Sequence, residues 1–260
     1  MSQAFRLPAI LEIARAEGKV TVEGLASHFG VAVQTIRRDL SELAESGQLN
    51  RVHGGAVLPA GPTNMGYTAR TNLHADAKRS IARACAGEIP DSASLFLNIG
   101  TSTEAVAREL LNHRDLLVVT NNINVANILA GNPNCEVIVA GGSLRRSDGG
   151  LVGVLAIRTI EQFKFDYAVI GCSALDEDGD LMDYDLQEVV VSQTIIRQSK
   201  RALLVADASK FQRSAPMVID SLASIDTLFT DRPVPGALVE RCETWGTQLQ
   251  ICPPEDDAAT

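Results

Sequence analysis

From Leu95 to Phe229 short apolar, β-rich runs alternate with stretches of helical spacing, and that alternation constrains the fold more than any other feature of the chain. The runs are Leu95–Ile99, Leu116–Thr120, Val137–Ala140, Tyr167–Ile170, Leu203–Ala206 and Thr227–Phe229. Between them, Ser102–Leu111, Ile123–Ala130, Val154–Phe163 and Leu186–Lys200 carry helical patterns. Parallel neighbours need a crossover long enough to hold a helix. The pattern therefore predicts an α/β domain, a mostly parallel sheet with helices on both faces. In such sheets ligands settle outside the carboxyl ends of the strands.

Four of those ends are polar. Asn98-Ile99-Gly100-Thr101-Ser102-Thr103 runs from a strand into a glycine, three hydroxyls and a helix. Thr120-Asn121-Asn122 repeats the arrangement, Ala140-Gly141-Gly142-Ser143 has Arg145 close behind, and Asp207-Ala208-Ser209-Lys210-Phe211 ends on a cation. Amides at a helix N-terminus beside hydroxyls make an anion site, although hydroxyls there also serve simply as caps. Four polar ends in one sheet, two with cations, point to a small phosphorylated ligand. The acidic run Asp176–Asp185 invites a calcium reading. An EF-hand loop begun at Asp176 needs Gly at its sixth place and Glu at its twelfth, where this chain has Leu181 and Gln187. A solvated turn at Asp178-Gly179 fits better, with Asp183 and Glu188 free to face a pocket. Neither a metal nor a cofactor is expected.

The first 58 residues read differently. Leu7, Ile10, Leu11 and Ala14 form the stripe of a helix ending at Gly18, and Thr21 caps a second helix with Val22, Leu25, Ala26 and Phe29 inward. After a turn at Gly30, a third helix over Val33–Ser46 points Val33, Ile36, Leu40 and Leu43 inward and stops at Gly47. Leu49–Leu58 folds as a hairpin about Gly54-Gly55. Two helices joined by a tight turn, followed by a hairpin, make a winged helix-turn-helix. The outward face of the third helix carries Gln34, Thr35, Arg37, Arg38 and Ser41, a set suited to base edges and phosphates in a major groove. Arg51 and His53 on the wing are placed to reach the flanking backbone or the minor groove. The plainer alternative is a solvated face on which Arg37 and Arg38 pair with Glu42 and Glu45.

The net charge of −9 lies entirely beyond residue 57, since residues 1–57 hold six basic and six acidic side chains. Contact with double-stranded DNA therefore has to come from the local face just described. Five scattered cysteines without a C-x-x-C pair read as reduced thiols. No apolar run is long enough to span a membrane and no secretory leader is visible, so a cytoplasmic location is expected.

The stretch V-A-V-Q-T-I-R-R-D-L-S-E-L (Val31–Leu43), followed by R-V-H-G-G-A (Arg51–Ala56), resembles the signature of DeoR-family bacterial repressors. Ala32-Val33 departs from the Ser-Pro with which that family usually begins the recognition helix, so the helix start lacks its usual cap. Further along, I-G-T-S-T-E-A-V-A, V-V-T-N-N-I-N-V-A-N, V-A-G-G-S-L-R, D-Y-A-V-I-G-C-S-A-L-D-E-D-G and V-A-D-A-S-K-F resemble the family's sensor domain. That domain is related in fold to ribose-5-phosphate isomerase and glucosamine-6-phosphate deaminase. The pieces T-E-A-V-A, L-L-N-H and L-R-R-S-D-G-G are similar to family members governing glycerol metabolism. The resemblance implies a repressor released from operator DNA by a phosphorylated metabolite, sn-glycerol 3-phosphate, acting as a homo-oligomer, dimer or tetramer. It also implies a phosphate held by Gly100, Thr101, Ser102 and Thr103, with Asn121, Gly142, Arg145, Asp183 and Lys210 around the ligand. The expected organisation is a DNA-binding domain (1–58), a linker (59–75), a sensor domain (76–254) and an acidic tail (255–260). Another sugar phosphate as effector is the alternative. An isomerase-like enzyme using Asp183, Glu188 or Asp207 is the rival, but no acid–base pair stands at a readable spacing, and the chain is expected not to be an enzyme.

Overall fold

The computed structural model describes residues 3–17, 19–45, 49–52, 54–57 and 67–254, and the chain divides into two compact units, Met1–Met65 and Gly66–Thr260. The first contains α1 (Gln3–Glu17), β1 (Lys19–Thr21), α2 (Val22–Phe29), α3 (Val33–Glu45), β2 (Asn50–Val52) and β3 (Gly55–Val57). Ile10, Leu11 and Ala14 meet Val22, Leu25, Ala26, Ile36, Leu40 and Leu43 in a single core. The Thr21 hydroxyl accepts from the Gly24 amide at 3.1 Å and caps α2, which Gly30 ends at a φ of 62°. Val33, expected inward, is 37% exposed, because α3 begins at that residue and its apolar face starts one turn later at Ile36. Asp39, which follows the two arginines, turns inward instead. Arg6 of α1 grips it from two nitrogens, Nε at 2.5 Å and Nη2 at 3.1 Å, and fixes α3 on α1.

The hairpin β2–β3 forms as the sequence predicts, but β1 adds a third strand on its far side, in the order β1-β3-β2, all antiparallel. A three-residue strand leaves no periodic trace in sequence. Its presence accounts for the second glycine of the hairpin, and the turn itself for the first. Gly54 sits at a φ of 78°, where side chains are disfavoured, and its carbonyl accepts from the Val22 amide. A Cβ on Gly55 would lie 2.0 Å from the Val20 carbonyl oxygen. Gly55→Ala is therefore expected to destabilise this unit by about 1–3 kcal/mol through overpacking against backbone. Denaturation of the variant followed at the N-terminal unit checks this, and an unchanged midpoint contradicts it.

The second unit opens with α4 (Tyr67–Asn72) and α5 (Ala75–Gly87). It continues through β4 (Ser94–Leu97), α6 (Thr101–Glu109), β5 (Leu116–Thr120), α7 (Ile123–Leu129) and β6 (Cys135–Val139). A hairpin of β7 (Ser143–Arg145) and β8 (Gly150–Val152) leads to α8 (Val154–Ile160) and β9 (Phe165–Ile170). Then come β10 (Ala174–Leu175), β11 (Asp180–Asp183), α9 (Leu186–Arg197), β12 (Ser199–Val205), β13 (Met217–Ser221), β14 (Thr227–Thr230), α10 (Gly236–Trp245) and β15 (Gln248–Ile251). Seven strands form one sheet in the order β15-β14-β12-β9-β4-β5-β6, and every neighbouring pair is parallel. Residues alternate between its two cores: Leu95, Leu97 and Val169 pack with α5, α6 and α7, whereas Phe96, Ala168 and Ile170 pack with α8, α9 and α10. The α/β expectation holds, with a winged helix-turn-helix before a parallel α/β domain.

Several parts of this unit were not foreseen, the β7–β8 hairpin and α10 among them. The seventh strand, β15, lies at the sheet edge and alternates Gln with apolar residues, so no apolar run marks it. An antiparallel sheet of β10, β11 and β13 joins segments far apart in sequence. The expected linker, 59–75, is helical over Tyr67–Asn72, and α5 already begins at Ala75. Composition hid α4, because its anchor is a partner elsewhere: the Tyr67 hydroxyl donates to Glu104 at 2.8 Å. The remainder of that expected linker, 59–66, and the tail 255–260 lie outside the described residues. Among the described residues no helix is long and apolar enough to cross a membrane.

Candidate functional site

In the first unit, α3 presents Gln34, Arg37, Arg38 and Ser41 exposed on one side and Thr35 half-buried beside them. The Ser41 hydroxyl donates to the Arg37 carbonyl at 2.9 Å. Arg51 of the wing donates to that same carbonyl at 3.4 Å, so the wing cation lies against α3. Among the described residues neither Arg37 nor Arg38 is ion-paired with a carboxylate. Buried Asp39 and exposed Arg37 and Arg38 occupy opposite sides of one helix: its acid is spent on folding, whereas its bases face solvent. His53 lies outside the described residues. The uncapped start at Ala32 persists, its carbonyl accepting from the Thr35 and Ile36 amides.

In the second unit a cavity opens at the carboxyl ends of β4, β9 and β12. There the chain leaving β4 runs toward one sheet edge through β5 and β6, while that leaving β9 runs toward the other through β12 and β14. Such a divergence leaves a crevice between neighbouring strand ends. Gly100, Thr101 and Ser102 at the start of α6 form one wall. Gly100 has a φ of 147°, a region open to glycine, and the first amides of any helix lack intrahelical acceptors. Four cations converge here: Arg70 from α4, Lys78 from α5, and Lys210 and Arg213 after β12. Asp183, Glu188 and Asp207 complete the lining.

Of the residues named from sequence, Gly100, Thr101, Ser102, Asp183 and Lys210 line this cavity. Four expected ligand residues stand elsewhere. The Thr103 hydroxyl is buried and donates to the carbonyls of Asn98 and Gly100, both at 2.7 Å, closing the turn. Asn121 is buried and donates to the Leu151 carbonyl at 3.1 Å. Gly142 is glycine for packing, since a Cβ would come within 2.6 Å of the Val152 carbonyl oxygen. Arg145 does not line the cavity: it is held by Asp148 at 2.7 Å, Asp185 at 2.8 Å and Glu188 at 2.5 Å. Sequence reasoning missed Arg70, Lys78 and Arg213. Arg213 had one legible signal, its position three residues beyond Lys210 on the same turn. Arg70 lay in the presumed linker, and Lys78 sits among the buried residues of an otherwise ordinary amphipathic helix.

Charge in the cavity is finely set. Burial, reinforced by Asp183 and opposed by Arg145, pushes the Glu188 carboxyl up to about 7. Burial draws the Lys78 ammonium down to about 8; Asp207 opposes this, whereas Lys210, Arg213 and Arg70 add to it. Lys210 is lowered in the same way, by burial and by Arg213, against Asp207. Burial works to raise Asp207, but Lys210 and the Ser209 hydroxyl overcome it and hold the acid below its usual range. Crowded cations that lower one another's basicity gain most from an incoming anion.

Residues 6–60 match the DeoR-like helix-turn-helix domain and residues 73–232 match the DeoR C terminal sensor domain. The chain belongs to the DeoR family. The glycerol-3-phosphate regulon repressor of Escherichia coli K12 is 42% identical over 97% of this chain and 100% of its own length. The HTH-type transcriptional repressor CsqR of the same organism is 38% identical, covering 96% of this chain and 95% of its own. A ribose 5-phosphate isomerase from Methanocaldococcus jannaschii is similar over 53% of this chain and 54% of its own, with 12% identity and a TM-score of 0.40. This DeoR-family chain is a DNA-binding repressor built from the family's two domains in their usual order.

Proposed function

We propose that this chain represses genes of glycerol 3-phosphate metabolism and that sn-glycerol 3-phosphate, bound in the cavity, releases it from operator DNA. The observation that carries the effector is the convergence of Arg70, Lys78, Lys210 and Arg213 on the strand ends beside the α6 N-terminus. Phosphate satisfies the cations and the unpaired amides of α6. Asp183, Glu188 and Asp207 accept from the two hydroxyls of the glycerol part, so the carboxylates act as ligand acceptors and not as an acid–base pair. The full-length likeness to glycerol-3-phosphate regulon repressors supports the choice of polyol. Gln34, Thr35, Arg37, Arg38, Ser41 and Arg51 read the operator. One small winged helix buries too little surface for tight specific binding, so the working form is a homo-oligomer on repeated half-sites.

Calorimetric titration of sn-glycerol 3-phosphate into the protein and into Glu188→Gln tests the cavity assignment. Above a pH of about 7 Glu188 ionises and sets its charge against the phosphate, so the wild-type affinity falls relative to the variant as pH rises from 6 to 8. The ionisation of the ligand is common to both titrations and cancels in the ratio. A ratio independent of pH, or heats absent from both proteins at millimolar ligand, contradicts the proposal.

A further inference from the structure

The C-terminal turn of α4 is held by the same donors that line the cavity. The Lys78 ammonium donates to the Arg70 carbonyl, and the Thr101 hydroxyl donates to it at 3.5 Å. The Arg70 guanidinium reaches Asp148 through Nη2 at a long 3.3 Å, while its buried Nε has no partner. Arg70, Lys78 and Thr101 all face the cavity. A backbone carbonyl is a weaker acceptor than a charged oxyanion. In this structure the peptide oxygen of α4 is the acceptor for a donor set suited to phosphate.

We propose that an oxyanion in the cavity competes with the Arg70 carbonyl for Lys78 and Thr101, and that effector binding therefore undocks the C-terminal turn of α4. The inference rests on the effector reading above and adds how that site is regulated. The consequence for DNA follows from chain order, because α4 is the first described element after the wing strand β3, with residues 58–66 between them. The other end of α4 is anchored away from the cavity, by the Tyr67 hydroxyl on Glu104 at 2.8 Å and by Asn124 donating to that hydroxyl at 3.0 Å. Docked and undocked α4 form a two-state element, and an effector that binds better to the undocked state shifts the population toward it. Its apparent affinity is its intrinsic affinity reduced by the small fraction undocked.

Two measurements on the full chain test this. In hydrogen exchange followed by mass spectrometry, saturating sn-glycerol 3-phosphate speeds exchange of the amides of residues 67–73. In Tyr67→Phe, which loses the hydrogen bond to Glu104 without touching the cavity, the undocked fraction grows, and half-release from a fluorescent operator needs about tenfold less effector. Exchange that is unchanged or slowed by effector overturns the inference, as does a half-release concentration in Tyr67→Phe equal to or above that of the parent. Calorimetry on the same samples separates the two claims. Binding with either contradictory result overturns the coupling alone, whereas no binding to either protein overturns the effector reading and the coupling with it.

Discussion

Arg38→Ala is expected to weaken operator binding by at least about thirtyfold while leaving sn-glycerol 3-phosphate binding unchanged. One bidentate contact to a guanine is worth about 1–3 kcal/mol of discrimination, and a protein spanning two half-sites loses it twice. The structure indicates why the substitution stays local. Arg38 is exposed and supports no core contact, whereas its neighbour Asp39 is buried and locked to Arg6. Fluorescence anisotropy with an operator fragment measures the loss, and thermal unfolding verifies that the N-terminal unit remains intact. Retention of operator affinity within about threefold would remove α3 from the DNA-reading role.

Lys210→Ala is expected to give the reverse phenotype, a repressor that holds its operator and no longer lets go. Lys210 is buried at the carboxyl end of β12, and a hydrogen bond from a desolvated ammonium to phosphate is worth about 1.5–3 kcal/mol, or roughly ten- to a hundredfold in effector affinity. The variant leaves Asp207 with acceptor contacts of its own, from the Ser209 amide at 3.1 Å and the Ser209 hydroxyl, so the strand end keeps its shape. Arg145, the other cation visible at a strand end, makes a poorer test. Its three carboxylate partners mean that removing it frees Asp148, Asp185 and Glu188 to repel the ligand, an indirect effect. Unchanged effector affinity in Lys210→Ala would place the phosphate elsewhere.

The parts of the molecule legible in sequence are those where one residue type has one local reason. Strands with both faces buried read as continuous apolar runs, and all six named from Leu95 to Phe229 lie in the seven-stranded sheet. Thr21 as a cap and Gly30 as a left-handed stop are decided within four residues of themselves. Gly142 looked like a phosphate-binding glycine, yet its reason is the Val152 carbonyl across a hairpin, which no local pattern reveals. The Thr103 hydroxyl and the Asn121 amide nitrogen likewise donate to carbonyls of the turn and of β8. The cations divide the same way. Lys210 stands directly after a strand and was legible, whereas Arg70 and Lys78 reach the cavity from helices outside the sheet's alternating order. Burial, not composition, distinguishes a cavity lysine from a solvated one. The motif R-R-D-L shows both sides at once: its arginines were read correctly as outward, and its aspartate acquires meaning only when Arg6, 33 residues earlier, closes on it.

The central claim is that one chain couples a DNA-reading helix face to a phosphate cavity, and titration of an operator complex tests it most directly. A fluorescent fragment carrying the promoter region of the glycerol 3-phosphate genes is bound to the full-length protein at fixed salt, and sn-glycerol 3-phosphate is added. Release of the DNA at or below millimolar effector, with no release by glycerol at the same concentration, is the predicted result. An operator complex that persists unchanged at millimolar sn-glycerol 3-phosphate would contradict it.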